Sequence, residues 1–268
     1  MVSLIIALQA LEPVVMSEVA IGPATAITGG SVSEIEVAGS KATIFVPEGW
    51  KPRRSNRVCL HFHSAPWYVV SQYQRTKLKD PVVTFNFGQG STIYARPFES
   101  PGSWNLWVTE IESVLKSRMG PLVVTSFSAG YGAVRNLIKQ ENFLSKLETV
   151  VLSDSMYGSY STPRTPLGEH VTCWKPLADR ARAGKTTVVM TCSTIEPETY
   201  CGTHEISRAL VQSYGKEMDD ITGTEGDQRL LRRYDEGKWH VWHYDGKTPT
   251  AHMTQARHMA DVLNLIYR

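Results

Sequence analysis

The chain has 268 residues, of which 42% are hydrophobic and 20% charged, with a formal net charge of +2. This is a globular composition with enough length for one sizeable core, which excludes a disordered or fibrous chain. No Lys/Arg-rich run with interleaved aromatics is present, so nucleic acid is not expected as a partner.

The first stretch, "MVSLIIALQALEPVVM", is apolar but broken by Glu12 and Pro13. It is too short to span a bilayer as a helix and lacks the basic start of a secretory signal, so stable membrane insertion is not expected. Residues 1–30 read as an irregular N-terminal segment. "ATIFVP" (42–47) and "RVCLHFH" (57–63) predict strands, and "APWYVVSQYQRTKLK" (65–79) a helix. "PVVTFNF" (81–87) is strand-like. "SWNLWVTEIESVLKSRM" (103–119) sets Leu106, Trp107, Ile111, Val114 and Leu115 at helical spacing, with Ser103 as expected N-cap and Glu110 and Glu112 towards solvent. "PLVVTSF" is the next strand and "AGYGAVRNLIKQ" the next helix. Then come a strand at 147–155, a helix at 175–184 stopping at Gly184, a strand at 185–193 and a helix at 203–215 stopping at Gly215. "RLLRRYDEGKWHVWHYDG" (229–246) predicts a hairpin turning at "DEGK", and 250–267 the last helix.

Strands alternating with helices at these spacings imply parallel strands joined by crossover helices. Near-continuous Val/Leu/Ile strands imply a sheet covered on both faces. The expectation is one α/β domain over residues 1–268, with a doubly wound, mostly parallel central sheet, helices on both faces and an antiparallel start. The four cysteines form no CxxC pair and show no zinc spacing. Cys59 reads as a buried thiol. The spacing permits Cys192 to pair with Cys201, or either with Cys173.

Chemistry concentrates beyond the carboxyl ends of such strands. "SFSAG" puts Ser128 there, directly between a strand and a helix. Ser126-x-Ser128-x-Gly130 differs by one residue from G-x-S-x-G, the turn that exposes a serine nucleophile. Small flanks are required because strand and helix backbones approach closely. Gly130 and Ala129 meet that need, and Ser126 stands where glycine is usual. A base is then expected after the last strand, which points to His252 in "TPTAHMTQ". His240 and His243 lie on the strand itself.

The strand order, "SFSAG" and the late "GKTPTAH" together resemble the α/β-hydrolase superfamily over about residues 40–267. "FSAGYGAVR" with "LSDSMYGSY" is similar to a group of bacterial members. The resemblance implies the α/β-hydrolase fold with a small cap or none, and an oxyanion hole donated by the amides of Ala129 and Ala65, since Pro66 has no N–H. His61 and His63 are read as holding the loop after their strand, not as metal ligands. The acid behind His252 is Asp154 after "TVVLS", or alternatively Glu196 after "TTVVMTCS", with Glu198 and Glu205 nearby.

The implied activity is a serine hydrolase of carboxylic esters, small or polymeric, working through an acyl-enzyme with no metal or organic cofactor. A peptidase, amidase or acyltransferase on the same residues is an alternative, as is an inactive binding module. Residues 155–175 are the expected small lid. Trp67, Tyr68, Tyr157, Tyr160 and Trp174 are expected to give the pocket apolar walls with polar edges.

Overall fold

The computed structural model describes residues 11–222 and 225–268; the apolar start at 1–10 lies outside them. The strands are β1 (Gly30–Val37), β2 (Ser40–Pro47), β3 (Ser55–Phe62), β4 (Val82–Phe85), β5 (Arg118–Phe127), β6 (Leu147–Ser153), β7 (Tyr160–Thr162), β8 (Thr165–Pro166), β9 (Thr187–Ser193), β10 (Asp219–Asp220), β11 (Leu230–Glu236) and β12 (Trp239–Tyr244). The helices are α1 (Pro66–Gln74), α2 (Ser91–Ala95), α3 (Ser103–Leu115), α4 (Tyr131–Leu137), α5 (Glu141–Leu144), α6 (Gly168–Thr172), α7 (Lys175–Arg182), α8 (Thr203–Gln212), α9 (Pro249–Arg257) and α10 (Met259–Ile266). No helix among the described residues is long and apolar enough to cross a membrane.

Ten strands form one sheet in the order β1-β2-β4-β3-β5-β6-β9-β12-β11-β10. The six central strands from β4 to β12 run parallel, and both edges are antiparallel. Successive residues of the central strands feed opposite cores, as the two-residue period of a strand requires. Leu122, Val124, Val150, Leu152, Val188 and Met190 join one core with α3, α4, α7 and α8. Val123, Val151 and Val189 join the other with α1 and α10. Helices on both faces explain why these strands read as unbroken apolar runs.

Several elements differ from expectation. β1 begins at Gly30, the last residue of the segment expected to be irregular, and is a strand the sequence does not predict. Its outer residues face solvent, so little apolar signal marks it, but Glu34-Ile35-Glu36-Val37 alternates. It pairs with β2 through a two-residue turn in which Ala38 (φ 50°) and Gly39 (φ 80°) are both left-handed, the geometry that suits a twisted hairpin. Ser103 is the first residue of α3 rather than its cap; Gly102 precedes it with φ 79°. Leu106 is 57% exposed, while Trp104 and Trp107 are buried. Met119 and Arg118 belong to β5, and the Met119 N–H donates to Glu112 (2.8 Å). All four cysteines are free thiols.

The last helix breaks at His258, which ends α9 and starts α10. Its Nδ1–H donates to Asp261 Oδ2 (2.8 Å), and its Nε2 lies 2.8 Å from Ser17 O against 3.2 Å from Ser17 N. The shorter contact makes Nε2 a donor, so the imidazolium ties the N-terminal segment to the C-terminal helix pair. Burial opposes the charge, but Asp261 and the Ser17 carbonyl outweigh it and hold His258 above its ordinary 6.5; the same contact holds Asp261 below its ordinary 3.8. The raised histidine stabilises the fold fully below about pH 6.5, and that share is lost as pH rises through its folded value; the Asp261 share is lost in acid below about pH 4. His258→Gln is therefore expected to lower the urea midpoint most between those limits and least in alkali. A loss in alkali as large as that between those limits contradicts the charged assignment.

Candidate active site

Three strand ends converge. His63 follows β3 with φ 70°, Ser128 follows β5 with φ 47°, and Asp154 follows β6 with φ 46°. Non-glycine residues rarely hold left-handed backbone, and such positions cluster at working sites. For Ser128 the conformation is the sharp reversal from β5 into a 3₁₀ turn (Ser128–Gly130) that runs into α4. The turn is tight: a Cβ on Gly130 would stand 2.3 Å from Phe62 O and 2.7 Å from Ser126 Oγ.

Ser126 does not loosen this turn but fastens it. Its hydroxyl lies 2.8 Å from Ser155 Oγ, and Ser155 Oγ donates to Ser128 O at 2.9 Å. Since Ser155 spends its one proton on the carbonyl, Ser126 must donate to Ser155. Both are buried. Ser155→Ala is expected to lower the unfolding free energy by about 1–3 kcal/mol, because it strands both the donor and the acceptor, and Ser126→Ala by about 1 kcal/mol. Urea unfolding measures both; an unchanged midpoint in Ser155→Ala would show that the chain of hydroxyls bears no load.

His252 lies in the first turn of α9, which starts with Pro249 and is capped by Thr248 Oγ1, the acceptor of Ala251 N–H (3.2 Å). Its ring stacks on Phe127 at 4.5 Å, and Phe127 stacks on His63 at 5.9 Å. His252 Nδ1–H donates to Asp154 Oδ2 at 2.8 Å. In the neutral ring this tautomer leaves Nε2 as the bare acceptor. Asp154 is wholly buried. Its Oδ2 also accepts from Ser193 Oγ (2.5 Å), and its Oδ1 from Ser193 N–H (2.9 Å) and Thr203 Oγ1. The Asp154 N–H donates to Thr191 O (2.7 Å), which fixes the backbone from which the carboxylate projects.

Glu196 is placed elsewhere. It is half-exposed and pairs with Arg164 (3.8 Å) and Lys247 (3.7 Å), not with His252. Glu205 accepts from Tyr160 Oη (2.6 Å) and from Gly202 N–H (2.7 Å), capping α8. Glu198 is exposed.

The loop after β3 is held by histidine hydrogen bonds. Tyr73 Oη lies 2.9 Å from Thr125 Oγ1, and Thr125 Oγ1 lies 2.7 Å from His61 Nδ1. The His61 Nε2–H then donates to His63 O at 3.3 Å. Burial pushes His61 down to about 3, so this wiring is that of a neutral ring. His63 Nδ1 lies 2.9 Å from Tyr94 Oη. Ala65 ends this loop, and its carbonyl opens α1 by accepting from Tyr68 and Val69. Ala129 sits in the first turn after Ser128, where backbone N–H groups have no intrahelical acceptor.

Ser128, Ala129 and His252 border one cavity of about 690 Å³. Of the expected pocket aromatics only Tyr157 lines it, with its hydroxyl 3.3 Å from His252 Nδ1. Burial, then the Asp154 charge, pushes this phenol far up, so it stays protonated. Trp174 is fully buried at the head of α7 because the core of that face takes it. Tyr160 is turned to Glu205, and Trp67 packs edge-on against Tyr68 on α1 at 5.7 Å. Tyr131, Tyr200, Arg135 and Lys247 line the cavity instead. Tyr131 and Arg135 had a sequence signal, since they follow Ser128 at spacings of three and seven on one helix face. Ser193 and Thr203 had none. The expected lid segment forms the β7–β8 hairpin and α6, and contributes Tyr157, Gly158, Ser159 and His170 to the wall.

No family model matches the sequence, and no curated protein does. Solved structures do. A variant of the feruloyl esterase module from Clostridium thermocellum, complexed with sinapinate, superposes with a TM-score of 0.52 at 12% identity, covering 95% of this chain and 96% of that one. Poly(aspartic acid) hydrolase-1 from Sphingomonas sp. gives 0.51 at 9% identity, covering 88% and 98%. An uncharacterised protein from Capnocytophaga ochracea gives 0.53 at 13% identity over 89% of this chain and 64% of that one. At such identities the likeness is one of fold, and it extends over nearly the whole chain. With its parallel centre, antiparallel edges and residues gathered at the ends of β3, β5 and β6, the chain has the α/β-hydrolase fold.

Proposed function

We propose that the protein is a serine hydrolase that cleaves carboxylic esters through an acyl-enzyme. The observation that carries this is the 2.8 Å contact between His252 Nδ1 and the buried Asp154, with Ser128 on a left-handed turn in the same cavity. Ser128 Oγ attacks the ester carbonyl while His252 Nε2 takes its proton. Asp154 fixes the ring's tautomer and stabilises the imidazolium. The Ala129 amide, with Ala65 as second donor, receives the oxyanion; each such donor supports the transition state by about 3–4 kcal/mol. His252 then protonates the leaving alcohol, and water repeats the cycle on the acyl group. These residues supply nucleophile, base and acid without a metal or cofactor.

The ester reading draws support from the fold shared with a feruloyl esterase module and from the Tyr131, Tyr157 and Tyr200 walls, which suit an acyl or aryl group. The test is covalent. A fluorophosphonate probe is expected to label the wild type on the peptide containing Ser128, with loss of 4-nitrophenyl acetate turnover in step with labelling. Turnover that persists in fully labelled protein, or a label on another serine, rejects the assignment.

A further inference from the structure

We propose that the cleft selects esters bearing a carboxylate and that Arg135, at the far end of the nucleophile's helix face, receives it. This rests on the serine-hydrolase reading and names its substrate class. Ser128, Tyr131 and Arg135 follow at spacings of zero, three and seven, so they share a face, and Arg135 stands about 10 Å from the nucleophile along the helix axis. All three border the same cavity. Arg135 is half-buried, and among the described residues it takes part in no ion pair. Its guanidinium lies over the Tyr131 ring, 5.5 Å from the centroid, which orients the planar fork without occupying its N–H donors.

The surroundings favour an anion. No aspartate or glutamate is among the residues lining this cavity. Its second cation, Lys247, is well exposed and leans on Glu196, which lies outside the lining. Glu99 and Glu169 share a separate depression with Arg135, outside this cavity, and Glu169 is 75% exposed there. His170 accepts from Ser159 N–H at Nδ1 (2.8 Å), and burial, then the Arg135 charge, lower its pKa from the ordinary 6.5, so Arg135 and Lys247 are the cations of this wall. A half-desolvated guanidinium with free donors beside a reacting serine is the arrangement that binds carboxylate in bidentate fashion. Between the two ends, the touching rings of Tyr131 and Tyr157 (centroids 5.8 Å apart) give the cavity an apolar wall against which the intervening carbons can lie.

The experiment uses two matched substrate pairs on the full chain. The acyl-side pair is the mono-4-nitrophenyl ester of glutaric acid and its ω-methyl ester. The alcohol-side pair is 4-acetoxybenzoate and its methyl ester. In the wild type, kcat/KM is expected to favour the carboxylate member of at least one pair by roughly tenfold, and the favoured pair tells which side of the ester faces Arg135. The preference should shrink between about 0.05 M and about 0.5 M NaCl. In Arg135→Gln the charged-to-neutral ratio should fall towards one, and Arg135→Lys should keep part of it. A ratio near one in both wild-type pairs, or a preference that survives in Arg135→Gln, overturns the proposal while leaving the hydrolase reading intact. No turnover of any ester, with no fluorophosphonate label, overturns both. Misfolding would change both members of a pair alike, so the ratio separates recognition from stability.

Discussion

Ser128→Ala is expected to lower kcat on 4-nitrophenyl acetate by up to about a millionfold, leaving only the modest residual rate that oxyanion donors and binding supply. The expectation follows from the turn itself. At φ 47°, between a buried strand and a helix, Ser128 occupies a backbone state that costs energy, and the close packing of Gly130 against Phe62 holds it there. Alanine fits the same turn, so fold and stability should be unchanged while the nucleophile is gone. Circular dichroism and the urea midpoint check the first half, and initial rates the second. Equal rates in wild type and variant would remove Ser128 from the chemistry.

Asp154→Asn is the second large effect, a fall in kcat of about ten-thousandfold. An asparagine amide at that position favours the opposite imidazole tautomer. The proton then sits on Nε2, where the proposed mechanism needs a bare nitrogen. Glu196→Gln should leave kcat unchanged. It loses two ion pairs between half-exposed groups, and such pairs contribute about 0–1 kcal/mol each. Steady-state kinetics on the two variants side by side decides the acid. A collapse in Glu196→Gln with a healthy Asp154→Asn would reverse the assignment.

The central sheet was legible because a strand buried on both faces must be apolar along most of its length, as Leu122-Val123-Val124 and Val188-Val189-Met190 are, with only small hydroxyl residues such as Thr125, Ser126, Thr191 and Ser193 buried beside them. β1 was not, because an edge strand needs only Ile35 and Val37 buried and fills its remaining positions with polar or exposed residues. Ser128 and His252 stood out by position after strands. The partner of His252 did not, since Asp154 and Glu196 both follow strands and what separates them is a contact across 98 residues of sequence. The aromatics show the same limit. Trp174 and Tyr157 flank one lid-like segment, yet one fills the core and the other lines the cleft, because the facing helix and hairpin decide which side is dry. Ser126 stands where the motif has glycine, and only its buried partner Ser155 reveals its use.

The carboxylate of Asp154 is gripped by Ser193 at the end of β9 and by Thr203, the first residue of α8. The proposed acid is therefore also the latch of a helix. If α8 frays from its N-terminus, Asp154 loses a donor in the same event, so a local opening too small to unfold the sheet can still reach the Asp154–His252 pair. Such openings lie well below the global unfolding free energy in most proteins. Heat inactivation of this chain should then track amide exchange at the start of α8 and precede the melting of β5 and β6.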